Sequence, residues 1–456
     1  MIVMKFGGSS VESSAAIERV VGIVRARLAR RPVVVVSAMG KTTRRLLEIG
    51  DAAARGDLGR AFELVDELRD FHAREAEAVT AGPDRARLDA ALAGRFGQLR
   101  QTVSEVVAAR ALAPRLADEV AAYGELLASE ILTLALQRGG VDAAFLDCRR
   151  LIVTDDRFTR AEPLYEETDE RLRAAVPPLV EAGQVPVLGG YVGATEEGVT
   201  TTLGREGSDF TAAIVGAALD AEEVQIWTDV DGMLTTDPRL VPAARLIRTL
   251  SFAEALELAS AGAKVLHPGT LGPAGRKGLP VRILSSRRPP AEDNGAGTLI
   301  GRRGAAPPHV KSIAFRRNAY LLRVTAEDGA AVREAAGCLA PAVLWLGEEG
   351  GGALLALDRA DRLPEVLDQL LRVARVEVMT GRPVVSLVSE DLAAGGAFAD
   401  ELLASAAAAG ARDARLVADG AACAAIRVVA DEEDAAALVA RLHQEVFDGS
   451  ADEAVP

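Results

Sequence analysis

The sequence predicts an α/β protein in which a mainly parallel, buried sheet is followed by two small ferredoxin-like modules. Three observations carry that reading. Through the first 300 residues short apolar runs alternate with helical stretches, as βαβ units require. Residues 286–309 then turn rich in arginine, glycine and proline, including Arg287-Arg288-Pro289-Pro290 and Pro307-Pro308, and mark a boundary. Beyond it a strand-helix-strand-strand-helix pattern occurs twice.

Taken in order, the strand candidates of the first part are 2–6, 32–37, 185–189, 224–228 and 281–284. Each is a short, mostly aliphatic run with little polar alternation, as a strand buried on both faces reads. Residues 44–138 carry helical periodicity instead, broken at Gly82-Pro83 and Pro114, and read as a helical lobe over the sheet's edge. After the boundary, strands are expected at 320–325, 343–346, 353–357 and 376–379, with helices at 329–339 and 363–373. The second pattern places strands at 384–388, 414–417 and 424–429 and helices at 397–409 and 433–446, and lacks a last strand. The unassigned stretch 310–316 is expected to supply it, which interlocks the two modules. The expected domains are therefore 1–300, 310–380 and 381–450, with the strand at 310–317 belonging to the last.

Composition narrows the function. Hydrophobic residues make up 49% and charged residues 26%, ordinary for a folded chain, while aromatics at 4% leave an aliphatic core. Fifty-two basic against 66 acidic residues give a net charge of −14, which disfavours attraction to nucleic acid or to an anionic membrane. Neither kind of partner is expected. Cys148, Cys338 and Cys423 stand apart, and His72, His267, His309 and His443 show no ligand spacing, so neither a disulfide framework nor a protein-held metal is indicated. The N-terminus has no apolar signal core and no apolar run is long enough to span a bilayer, so a cytoplasmic location with reduced thiols is expected.

The chemistry concentrates at strand ends. Lys5-Phe6-Gly7-Gly8-Ser9-Ser10 joins a strand to a helix, where glycine amides can approach a phosphate and the lysine adds a point charge; a tight turn beside a solvated lysine is the plainer alternative. Ser37-Ala38-Met39-Gly40-Lys41-Thr42-Thr43 ends like a Walker A loop, but Val35 stands where the leading glycine belongs, and no G-x-G-x-x-G opens a βαβ unit. Thr200 to Asp209 leads into a helix with Ser208 and Asp209 as cap candidates and Arg205 suited to a carboxylate. Thr228-Asp229 closes another strand, and Asp237-Pro238-Arg239 follows; with Lys264 these suit a ribose and phosphate oxygens. The Asp229-Val230-Asp231-Gly232 stretch lacks the later ligands of a calcium loop. Glu125 places a carboxylate on an otherwise apolar helix, functional unless it is merely half-exposed.

Together these segments resemble the aspartate kinases of the amino-acid kinase superfamily. The matching stretches are Val3 to Val11, Val36 to Thr43, Tyr123-Gly124-Glu125-Leu126, Asp156-Arg157-Phe158, Thr202 to Asp209, Trp227 to Val230 with Thr235 to Arg239, and Gly262 to Pro268, in the family's order. The resemblance implies a three-layer αβα, carbamate kinase-like fold followed by two ACT domains, and transfer of the γ-phosphoryl of MgATP to the β-carboxylate of L-aspartate, the first step toward lysine, threonine and methionine. Kinases of another acidic amino acid and a catalytically silent amino-acid sensor are the alternatives.

Carried over onto this chain, the resemblance gives Lys5, Gly7 and Gly8 the phosphoryl group, with Asp209 orienting Lys5. Arg205 and Glu125 take the substrate's α-carboxylate and amino group, with Ser37, Thr43 and Ser208 beside them. Ser9, Thr228, Asp229, Asp237, Arg239 and Lys264 hold the nucleotide, and magnesium rides on ATP oxygens. Glu206 stands where many relatives carry glycine, and Leu234 replaces an aromatic residue. A homodimer through the ACT domains is expected, with an aspartate-semialdehyde dehydrogenase acting in trans. Because the stretch Ala342 to Leu346 lacks an acidic or amide residue beside Glu327-Asp328-Gly329, feedback by lysine or threonine is expected to be weak or lost.

Overall fold

The computed structural model describes residues 1–80, 83–204, 207–262, 268–288, 297–301, 309–326, 329–339, 343–349, 352–357, 362–411, 414–418 and 424–447. Arg205, Glu206, Lys264, Asp328, Ala342 and Cys423 lie outside them. In chain order the strands are β1 (Ile2–Phe6), β2 (Pro32–Val36), β3 (Ala143–Leu146), β4 (Val185–Gly189), β5 (Val192–Ala194), β6 (Thr200–Thr202), β7 (Glu223–Thr228), β8 (Thr249–Ser251), β9 (Val281–Ser285), β10 (Thr298–Gly301), β11 (Ser312–Thr325), β12 (Val343–Glu349), β13 (Gly352–Leu357), β14 (Arg375–Ser389), β15 (Arg415–Ala418) and β16 (Ala424–Val429). The chain divides into two units, Met1–Asp231 with Gly269–Gly297, and Gly232–Pro268 with Thr298–Pro456.

In the first unit the strands run parallel in the order β3-β4-β2-β1-β7-β9. Every residue of β1, β2 and β4 is buried, which is why their sequences read as continuous apolar runs. From β1 the chain crosses to β2 on one side, and from β7 it reaches β9 on the other, so their carboxyl ends diverge at a topological switch, where open α/β sheets bind ligands. Registers Phe6↔Val36, Phe6↔Trp227 and Val36↔Gly189 bring four strand ends to one level. The helical lobe comprises Thr42–Ala54, Leu58–Val79, Pro83–Ala109 and Pro114–Arg138. Asp57 caps the second through Arg60 N at 3.0 Å, and Pro114 opens the fourth at a position that needs no N–H. That fourth helix is apolar almost all round and correspondingly buried from Val120 to Leu136, save Glu130.

The second unit pairs β8 with β10 in parallel and carries a six-stranded antiparallel sheet among its described residues, in the order β12-β13-β11-β14-β16-β15. Helices Gly329–Cys338 and Leu363–Leu370 share one core with Leu322 and Leu355, and Ala397–Ala408 and Ala435–Phe447 share another with Val385 and Ile426. Two long strands of this sheet differ from the sequence reading. The stretches 310–316 and 320–325 are a single strand, β11, and 376–379 and 384–388 are a single strand, β14, with register slips around Ala319. A bulge bends a strand without ending it, so one strand serves both modules. The segment Gly232–Pro268 also packs within this unit: Ile313 N donates to Thr235 O at 2.8 Å, Thr236 Oγ1 to Ile313 O at 2.9 Å, and buried His443 Nε2 lies 2.9 Å from Thr235 Oγ1.

Candidate active site

The loop after β1 is built by close backbone approach. A Cβ on Gly8 would sit 2.9 Å from Ala38 O and 3.1 Å from Gly40 O, and Gly40 N donates to Gly8 O at 2.9 Å. Only glycine lets the loops after β1 and β2 lie this close, and Gly40 itself adopts φ +54°. Gly7 N and Ser10 Oγ both donate to Trp227 O, at 3.1 and 3.2 Å, tying the loop to the end of β7. The Trp227 ring is fully buried and stacked on Phe6, with the Arg27 guanidinium 4.4 Å from its centre. Ser9 is half-buried in the same turn.

Lys5 points from β1 to Asp209 in the first turn of the helix Gly207–Ala218, with Nζ and Oδ1 2.5 Å apart. Both side chains are about nine-tenths buried, at 10% and 8% exposure, so this pair is held by the site rather than screened by water. Asp209 Oδ1 has no other partner among the described residues. A Cβ on Gly190, just past β4, would meet Ser208 Cβ at 2.6 Å; the glycine is what lets this helix start against the sheet end. Gly189-Gly190 escaped the sequence reading, although a glycine pair at a strand's carboxyl end repeats the Phe6-Gly7-Gly8 pattern.

Glu125 is buried, not half-exposed as the plainer reading had it. Its Oε1 accepts from Ala38 N at 3.2 Å, while Oε2 has no hydrogen-bond partner among the described residues. Burial pushes its carboxyl up to about 8, against the pull of Ala38 N–H and the Lys5 charge. Thr42 Oγ1 is likewise buried without a partner, and Gly124 admits the Thr42 methyl and Ala38 beside the same turn of helix. Both atoms are free to meet a polar group brought by a ligand. Ser37 and Thr43 are half-buried nearby in sequence, and Ser37 N donates to Phe6 O at 3.0 Å.

Thr228 donates to Asp229, whose other oxygen pairs with Arg287 at 3.1 Å in an exposed position. Asp237 and Arg239 belong to the second unit and pair with each other at 2.6 Å. Arg205 and Lys264 fall outside the described residues.

Asp118, which the sequence reading passed over, organises the polar stretch. Its Oδ1 accepts from Thr202 Oγ1 at 2.6 Å, and its Oδ2 accepts from Thr202 N at 3.0 Å and Thr159 N at 2.8 Å. One buried carboxylate thus clamps the Asp156-Arg157-Phe158 loop, which ends on Thr159 at φ +71°, to the strand feeding Gly204 to Asp209. Burial raises its pKa against those hydrogen bonds. Asparagine can keep all three contacts, since its oxygen accepts both amides and its NH2 donates to the threonine hydroxyl. Asp118→Ala is therefore expected to lose about 3 kcal/mol in urea unfolding, and Asp118→Asn about 1 kcal/mol or less.

The model of the amino acid kinase family matches residues 1–285. The chain is 34% identical to the lysine-sensitive aspartokinase 3 of Escherichia coli (strain K12) over 98% of its own length and 99% of the other's. This chain belongs to the amino acid kinase family, among its aspartokinases. As an amino acid kinase it is also 33% identical to chloroplastic aspartokinase 2 of Arabidopsis thaliana, over 85% of this chain and 73% of that one. The crystal structure of E. coli aspartokinase III in complex with aspartate and ADP, in its R-state, superposes with a TM-score of 0.80 at 32% identity, covering 98% of this chain and all of that one. The same enzyme with lysine and aspartate, in its T-state, gives 0.76 over 98% and 99%. The amino-acid kinase fold of this chain matches those structures, and its antiparallel second sheet is compatible with ACT domains.

Proposed function

We propose that this chain is an aspartate kinase: a β-carboxylate oxygen of L-aspartate attacks the γ-phosphorus of ATP, the bond to the β,γ-bridging oxygen breaks, and 4-phospho-L-aspartate and ADP leave. The observation that carries the reading is likeness over nearly the full length of both chains to an enzyme crystallised with aspartate and ADP. The chemistry fits the site. An ionised carboxylate is already a nucleophile, so the protein's task is to align two anions and offset the charge on the transferring group. Lys5, with the Gly7 and Gly8 amides, does this; Asp209 holds the Lys5 ammonium in place, and Ser9 belongs with the nucleotide-binding residues. Glu125, Arg205, Ser37, Thr43 and Ser208 bind aspartate, and the unpartnered Glu125 Oε2 accepts from its ammonium. Thr228, Asp229, Asp237, Arg239 and Lys264 are assigned to the nucleotide. Magnesium is carried by ATP oxygens, since a magnesium ion keeps phosphate and water ligands in preference to a protein cage.

Residues 1–300 form the kinase part in this reading, and 310–380 and 381–450 two ACT modules through which two copies associate. An acyl phosphate is labile, so a separate reductase, an aspartate-semialdehyde dehydrogenase, consumes it. The test is ADP formation in a coupled assay with MgATP. It should depend on L-aspartate; equal rates with L-glutamate or N-acetyl-L-glutamate would overturn the substrate, and no ADP with any of them would favour a sensor.

A further inference from the structure

The sheet of the second unit carries a cavity of about 440 Å³ into which four arginines converge, Arg323, Arg382, Arg415 and Arg427, over an aliphatic floor that includes Leu321 and Met379. No carboxylate lines it among the described residues. The carboxylates that pair with three of these arginines, Glu257, Glu377 and Asp431, do not line the cavity. Arg415 and Arg427 are direct cross-strand partners in the β15–β16 register, an arrangement in which like charges repel.

The arginines are not equally committed. Arg427 is 4% exposed; its Nη2 holds Glu257 at 2.5 Å and its Nη1 the carbonyl of Trp345, but its Nε has no acceptor among the described residues. A buried guanidinium N–H without an acceptor is costly unless something supplies one. Arg323 pairs with Glu377 at 2.9 Å and Arg382 with Asp431 at 3.0 Å, but those carboxylates are 63% and 58% exposed, so the pairs are screened and readily exchanged. Planar guanidinium forks match oxyanions bidentately, and the aliphatic floor offers contact to a carbon skeleton.

We propose that this cavity binds a small organic dianion, a doubly charged oxyanion head on an aliphatic body, with Arg415 and Arg427 taking the head and Leu321 and Met379 the body. Such a ligand gives Arg427 Nε its acceptor. The site lies within the second unit and does not depend on the kinase reading.

The probe is n-butylphosphonate, titrated calorimetrically into the full chain and followed by thermal melting, with methylphosphonate and n-butylammonium as controls. Saturable binding of butylphosphonate is expected, weaker by about tenfold or more for methylphosphonate, which lacks three methylenes, and absent for butylammonium. Arg415→Gln and Arg382→Gln, both on the rim, should each weaken binding by about tenfold while leaving turnover unchanged. Lys5→Ala should bind as the wild type does, because its lesion is elsewhere. No saturable heat and no melting shift would overturn the proposal. So would equal affinity for the two phosphonates, or loss of binding in Lys5→Ala with retention in the rim variants, which would put the anion in the phosphate site.

Discussion

Lys5→Ala loses turnover by about a thousandfold, the scale set by removing one charged group that stabilises a transition state, and also loses about 3 kcal/mol of stability. The second loss follows from geometry: Asp209, 8% exposed, is left buried without the cation 2.5 Å away. The two effects separate in the double variant Lys5→Ala/Asp209→Asn. Neutralising the orphaned carboxylate restores unfolding free energy toward the wild-type value and restores no turnover. Steady-state kinetics beside denaturant unfolding read both quantities. Recovered activity in the double variant would mean that the pair is structural and that another group neutralises the phosphoryl oxygens.

Glu125→Gln is expected to stabilise the chain while crippling aspartate binding. Burial holds the Glu125 carboxyl up near 8 in the folded chain, whereas an unfolded glutamate ionises near 4.5. Between those values the unfolded state binds fewer protons than the folded one, so wild-type stability falls as pH rises, by up to about 1.4 kcal/mol per pH unit. Glutamine does not titrate, and its advantage over wild type grows across that window and flattens above about pH 8. Function moves the other way. The ammonium of aspartate favours the ionised carboxylate, so binding near neutral pH releases a proton, which calorimetry in buffers of different ionisation enthalpy detects. Glu125→Gln abolishes that release and raises KM for aspartate by about a hundredfold. A pH-independent stability difference, or binding without proton release, would contradict the assigned role.

The parts legible in sequence were those whose cause is local. β1, β2, β4, β7 and β9 showed as apolar runs because both faces of each are covered, and the Lys5-to-Ser10 loop showed because its glycines and lysine are contiguous. β3, with three of its four residues partly exposed, and the three-residue strands β5, β6 and β8 gave too little pattern to find. The fusion of two modules into β11 and β14 depends on a register slip at Ala319 that no propensity signals. Asp118 is the clearest case at the site. A lone carboxylate in a helix reads as a solvated face until its partner Thr202, 84 residues away, is brought to it. Gly190 is similar, since its need for glycine comes from Ser208 on another element.

Hydroxylamine trapping of the acyl phosphate, with the hydroxamate identified by mass spectrometry and its position by fragmentation, decides whether a carboxylate of aspartate is the phosphoryl acceptor. Purified chain with MgATP and L-aspartate should yield aspartate β-hydroxamate and none from L-glutamate, with yield lost in Lys5→Ala. ADP formed without any hydroxamate would contradict the account, because the phosphoryl acceptor would then not be a carboxylate.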